Sequence, residues 1–319
     1  MSRPTDVRFA LQRPLGRRAL LRGVLAASTA GIGAYAFGCG GKRRAAPALL
    51  PITPGLLTQE FVIGQDSRFT LGVLDRIGKP MKDAAVHVRF VTIQDDGVTG
   101  SLRGEVDMHP VELKGAGVEA PTGSAGAGAG VPFYLTRAPF DVARTWGAEV
   151  IVAPKDGTEP SSTRLLFEVL PGTLSPAIGS APPASRNETA ATAADGGRLC
   201  SRDPACPLHD QVIADILGKG RPLVVQFSTP RHCAGPFCGP VLEALLNRHA
   251  AYRDRVDFVH IEVWRDFASR TYRETVTEWK VPSEPYTFFI GRDGKVLSRL
   301  EAVFADEELD ASLEQLVAP

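Results

Sequence analysis

The sequence predicts a multidomain chain, an all-β sandwich followed by an α/β unit, and three observations carry that expectation. Residues 58–171 hold about seven short runs in which apolar and polar residues alternate. Residues 172–199 are rich in Pro, Ala, Ser and Thr and nearly free of larger aliphatic side chains, the composition of a linker. After residue 200 strand-like and helix-like runs alternate. The 319 residues exceed the usual single-core length, and 44% hydrophobic with 23% charged residues excludes a wholly disordered or multi-span membrane protein.

The first 38 residues read as a signal peptide. They carry six Arg and one Asp, so the formally neutral chain leaves 30 basic and 35 acidic residues downstream. That acidic remainder argues against nucleic acid as a partner. Arg17-Arg18, followed by Ala19-Leu20-Leu21-Arg22 and a short apolar run to Gly38, resembles a twin-arginine export signal. Ala36-Phe37-Gly38-Cys39-Gly40 resembles a bacterial lipobox, with Phe37 larger than the residue usual there. The expectation is lipidation at Cys39, then a tether over 39–57. The alternatives are an uncleaved anchor or cleavage elsewhere. Either way the mature protein lies outside the cytoplasm, where disulfides persist. As a lipoprotein it is anchored to the bacterial cell membrane, where Lys42-Arg43-Arg44 adds attraction to anionic head groups.

Within 58–171, Phe69, Leu71 and Val73 share one strand face, as do Val86, Val88 and Phe90, then Val150 and Val152, then Leu165, Phe167 and Val169. Arg76-Ile77-Gly78-Lys79-Pro80 is a turn, and residues 115–130 are a low-complexity loop. Thr145-Trp146-Gly147-Ala148-Glu149-Val150 resembles the late strand of bacterial immunoglobulin-like domains, although no internal Cys pair is present.

In the last unit, His209–Leu217 sets Val212, Ile213, Ile216 and Leu217 on one helical face, with Gly218 as a stop. Leu223–Phe227 is a buried strand, and Pro240–His249 a helix that Pro240 opens. Val256–Val263 is a strand and Thr271–Trp279 a helix. A hairpin turns at Arg292-Asp293-Gly294, and a last helix carries Leu309, Leu313 and Leu316 behind Asp306 as cap.

This order, with Phe237-Cys238-Gly239-Pro240 at a strand-to-helix junction and a proline, Pro285, before a later strand, resembles the thioredoxin-like family over residues 200–319. The resemblance implies an α/β thioredoxin-like fold, with Cys238 and Pro285 at a redox site. Departures are plain. Val241 stands where the second Cys of C-x-x-C would be, so the partner is Cys233 in a C-x4-C arrangement, and Gln226 replaces a buried acid. At a helix N-terminus Cys238 is expected to be the low-pKa thiolate and Cys233 its disulfide partner. The count from Phe227 favours the reverse. His232 could activate Cys233 or bind a metal.

Cys200 and Cys206, in a loop carrying Pro204 and Pro207, are expected to form a structural disulfide. Four cysteines allow three pairings. They could instead gather one metal, but the spacings miss the standard zinc patterns, and neither metal nor cofactor is expected. His209 sits at a helix start, His260 in a strand, and Trp146, Trp264 and Trp279 read as core anchors. The leading function is a membrane-tethered thiol–disulfide oxidoreductase acting on protein cysteines, or on a redox partner protein, through Cys233 and Cys238. The alternatives are a redox-inert, partner-binding scaffold, or a copper metallochaperone similar to thioredoxin-fold copper-delivery proteins.

Overall fold

The computed structural model describes residues 6–8, 51–94, 97, 99–114, 130–193, 199–233 and 235–318. Arg17-Arg18, Cys39 and most of the 115–130 loop lie outside the described residues. No described helix is long and apolar enough to cross a membrane.

The first unit comprises β1 (Asp6–Arg8), β2 (Thr53–Leu56), β3 (Phe61–Val62), β4 (Asp66–Leu74), β5 (Ala84–Ile93), β6 (Thr99–Leu113), β7 (Val131–Pro139), β8 (Thr145–Pro154) and β9 (Ser161–Leu170). The alternating residues form its core: Phe69, Leu71, Val73, Val86, Val88, Phe90, Val150, Val152, Phe167 and Val169 are all buried. Phe61, Phe69, Phe90, Phe140, Trp146 and Phe167 meet in ring contacts of 4.7 to 5.7 Å.

The expected two-sheet immunoglobulin-like sandwich is corrected to one curled sheet of order β2-β4-β7-β6-β5-β8-β9-β3, with β1 on β6. The reason lies in β6, which is 15 residues long. Gly100–Met108 pairs with β5, while His109–Leu113 pairs with β7. One strand thus belongs to both faces and joins them. The parallel β3–β9 pair makes the sheet mixed.

The second unit follows with α1 (Ile213–Ile216), β10 (Leu223–Ser228), α2 (Cys238–Tyr252), β11 (Asp257–Glu262), β12 (Trp264–Asp266), β13 (Thr271–Tyr272), α3 (Glu274–Glu278), β14 (Tyr286–Ile290), β15 (Val296–Glu301) and α4 (Asp306–Val317). Its sheet runs β11-β10-β14-β15, parallel only between β10 and β11. The expected α/β thioredoxin-like domain is also corrected: the described residues are largely β, 40% strand and 15% helix. Two of the anticipated helices are little more than a turn. Gly218, at φ 68°, stops the 209–217 run after four helical residues. The 271–279 run spends its start on β13 and leaves only five residues for α3. Gly294, at φ 77°, turns the hairpin, and an added Cβ would lie 3.1 Å from the Gly218 backbone.

Residues 172–193 run between the two units and pack against both of them. Ser175, Ser185, Asn187 and Thr189 are buried. Small polar side chains suit a crevice between sheets, where they complete buried polar groups. Leu174 and Ser175 donate their N–H groups to Glu60 at 2.6 and 3.0 Å. Ser185 accepts from Trp279 Nε1 at 3.0 Å, and Asn187 accepts from the Ile213 N–H at 2.8 Å. The units also share apolar core: Leu113 and Phe133 pack in one cluster with Val241, Leu245, Leu309 and Leu313.

Candidate functional site

Strand β10 is wholly buried and ends at Ser228. The chain then loops through Thr229–Phe237 and enters α2 at Cys238, which is completely buried. Cys233, half-buried, donates its N–H to Thr229 O at 3.1 Å. Cys233 and Cys238 are joined by a disulfide. No side chain caps α2, so N–H groups of its first turn face the Cys238 end of the disulfide. Phe237 lies over the first sheet, where a Cβ on Gly72 would meet its ring at 3.7 Å.

Pro285 is buried just before β14, joined to Glu284 by a cis peptide. A carboxylate oxygen of Glu284 lies within 4.8 Å of both bonded sulfurs. Trp264 Nε1 donates to Glu284 Oε1 at 3.0 Å. Burial raises the Glu284 pKa above the ordinary carboxylate range, with Thr229, Trp264 and Arg270 pulling the other way. Glu284 was not legible as a site residue, because the contact spans about fifty residues of sequence; adjacency to Pro285 was its only signal. Gln226 is committed elsewhere, its Oε1 accepting from Thr287 at 2.5 Å. The His232 ring rests on Phe267, centroids 4.3 Å apart.

The expected Cys200–Cys206 staple is corrected. Both are free thiols, Cys206 buried and Cys200 half-buried. Two histidines meet them. Cys206 Sγ lies 3.2 Å from His209 Nε2 and 3.4 Å from His260 Nδ1, and Cys200 Sγ lies 3.7 Å from His260 Nδ1. The two rings approach at 3.3 Å between those same nitrogens. His260 comes from β11, and its parallel register beside Gln226 on β10 is what brings it under the loop. The C-x2-H spacing of Cys206 and His209 was visible in sequence; the distant His260 was not.

No known family model matches the chain, and no curated protein matches it. Among solved structures, a family 123 glycoside hydrolase from Clostridium perfringens is 11% identical, over 36% of this chain and 23% of that one, with a TM-score of 0.20. The chain thus spans less than a quarter of that protein. A likeness of this extent transfers no activity. The kinship expected with thioredoxin-like and immunoglobulin-like proteins is corrected accordingly: no family model matches the chain, and its described residues form a largely β molecule built on a curled mixed sheet.

Proposed function

We propose that Cys233 and Cys238 form a reversible thiol–disulfide couple, exchanging with protein cysteines outside the cytoplasm on a chain exported through Arg17-Arg18 and tethered at Cys39. The observation that carries this reading is the position of the disulfide: one sulfur is partly open to solvent, the other buried at a helix N-terminus beside Glu284.

Burial divides the labour. A substrate thiolate attacks Cys233 Sγ, the accessible sulfur, forming a mixed disulfide as the Cys233–Cys238 bond breaks. The electron pair leaves on Cys238, where helix N–H groups stabilise a thiolate and make it the better leaving group. Glu284, whose protonated form burial favours, is the acid beside that sulfur. A second substrate thiolate attacks the substrate sulfur of the mixed disulfide and releases Cys233. Cys233 leaves as a thiolate and takes its proton from solvent, so the substrate dithiol ends as a disulfide and the pair ends as two thiols. The same steps reversed reduce a substrate disulfide, the direction being set by the partner's potential. In this reading Cys238 is the leaving sulfur at the helix N-terminus and Cys233 is the sulfur that meets substrate.

Trapping tests the assignment. Cys238→Ser should leave an exposed Cys233 that accumulates a glutathione mixed disulfide. Cys233→Ser should leave a buried Cys238 that accumulates little. Equal trapping in both variants, or trapping only at Cys238, contradicts it. No trapping in either, with the fold intact, favours an inert scaffold.

A further inference from the structure

We infer that Cys200, Cys206, His209 and His260 form a tetrahedral site for a zinc-class divalent metal ion, separate from the disulfide and holding the loop 200–209 in place. The argument begins with distances. Bond lengths of about 2.3 Å to sulfur and 2.0–2.1 Å to nitrogen at tetrahedral angles place S and N ligands about 3.6 Å apart, and two N ligands about 3.3 Å apart. The observed S···N separations are 3.2, 3.4 and 3.7 Å, and the N···N separation is 3.3 Å. All four ligand atoms lie within 4.8 Å of one another. Three side chains of the loop 200–209 and one of β11 bring their ligand atoms to separations that fit one small tetrahedron.

Chemistry agrees with geometry. Two thiolates and two neutral imidazoles around a divalent cation are charge-neutral, which suits a site where Cys206, His209 and His260 are buried. The outer support is also built. His260 Nε2 lies 3.1 Å from the Ser228 carbonyl and 3.0 Å from its hydroxyl. Donation from Nε2–H to the carbonyl fixes the tautomer and leaves the Nδ1 lone pair aimed at the sulfurs. With four protein ligands no position stays open for substrate, so the site is structural.

What it would hold is visible. Ser201 donates its N–H to Glu262 of β11 at 2.6 Å, and Arg202 pairs with Glu243 of α2 at 2.5 Å. Ser201 Oγ accepts from the Arg231 N–H, at the base of the disulfide loop, at 3.1 Å. A metal at the four ligands would pin this loop between β11, α2 and the Cys233 loop.

The test uses the full chain purified without chelator, with Zn²⁺ and Co²⁺ as probes. Elemental analysis should find one zinc per chain, kept in the Cys233→Ser/Cys238→Ser double variant and lost in Cys206→Ser and His260→Gln. Co²⁺ should give the intense visible bands and thiolate charge transfer of a tetrahedral sulfur site. Should the ligand variants not fold, zinc-edge X-ray absorption of the wild type supplies the second measurement, with two sulfur neighbours at about 2.3 Å and two nitrogen neighbours at about 2.0 Å expected. Recovery of a Cys200–Cys206 disulfide from zinc-supplemented native protein, octahedral Co²⁺ spectra, or zinc lost with Cys233 and Cys238 rather than with Cys206 would each overturn the inference.

Discussion

Arg68 of the curled sheet grips Glu308 of the last helix through two hydrogen bonds, Nε to Oε1 at 2.7 Å and Nη2 to Oε2 at 2.8 Å. The same guanidinium donates to the carbonyls of Glu301 and Val303, each at 2.9 Å. Both side chains are largely buried, so water cannot replace the partner once one is removed. Arg68→Ala should therefore lower stability by about 3 kcal/mol. Limited proteolysis checks the consequence for architecture. The wild type should resist cleavage across residues 172–193, and the variant should be cut there into two fragments. Ready cleavage of the wild type at that segment would mean the units do not depend on this contact.

A second carboxylate at the junction gives a pH dependence. Glu301 accepts from the Gln59 and Glu60 N–H groups at 2.7 and 3.2 Å, and from Ser283 at 2.8 Å. Burial nonetheless raises its pKa, with the Glu60 charge adding to the effect and those hydrogen bonds opposing it. A carboxyl raised in the folded state binds its proton more tightly folded than unfolded. Its contribution is thus complete below the ordinary carboxylate range and is lost as pH rises through the folded value. Glu301→Gln keeps one acceptor oxygen and removes the titration. Chemical denaturation from pH 4 to 9 should show a shallower loss of stability with rising pH in the variant than in the wild type.

Glu284 should matter to exchange more than to folding. In its protonated form, which burial favours, it supplies the proton Cys238 takes when the disulfide opens. Above its raised pKa it becomes an anion that disfavours the thiolate. Glu284→Gln should slow reduction by a small thiol about 100-fold, the low end of general acid catalysis, and erase one inflection from the pH–rate profile. Its thermal stability above neutral pH should equal or exceed that of the wild type, since burying an ionised carboxylate is unfavourable. An unchanged profile would remove Glu284 from the mechanism.

Alternation made the strands legible, because Phe69, Leu71 and Val73 must share a face whatever the strand's partner. It could not tell one curled sheet from two. That depends on β6 changing partners after Met108, and a period of two is the same on both sides of that change. The short helices were overread for a similar reason: apolar spacing at 212–217 fits a helix, but Gly218 decides its length. At the site, Cys233 and Cys238 were visible because they are close in sequence. Glu284 and His260 act only through tertiary contacts, so neither the buried acid nor the full Cys–His cluster could be read as a unit. The small polar residues of 172–193 look like linker by composition and become packing once Glu60 and Trp279 face them.

The central claim, a reversible couple at Cys233 and Cys238, is tested most directly by equilibrating the native protein with a graded series of reduced and oxidised glutathione. Each sample is quenched, alkylated and read by peptide mass spectrometry at residues 233 and 238. The two cysteines should titrate together in a single two-electron transition, recovered from either direction with the fold intact. A disulfide that persists across the whole series, and opens only when the protein is unfolded, would contradict the account and leave the pair as a staple.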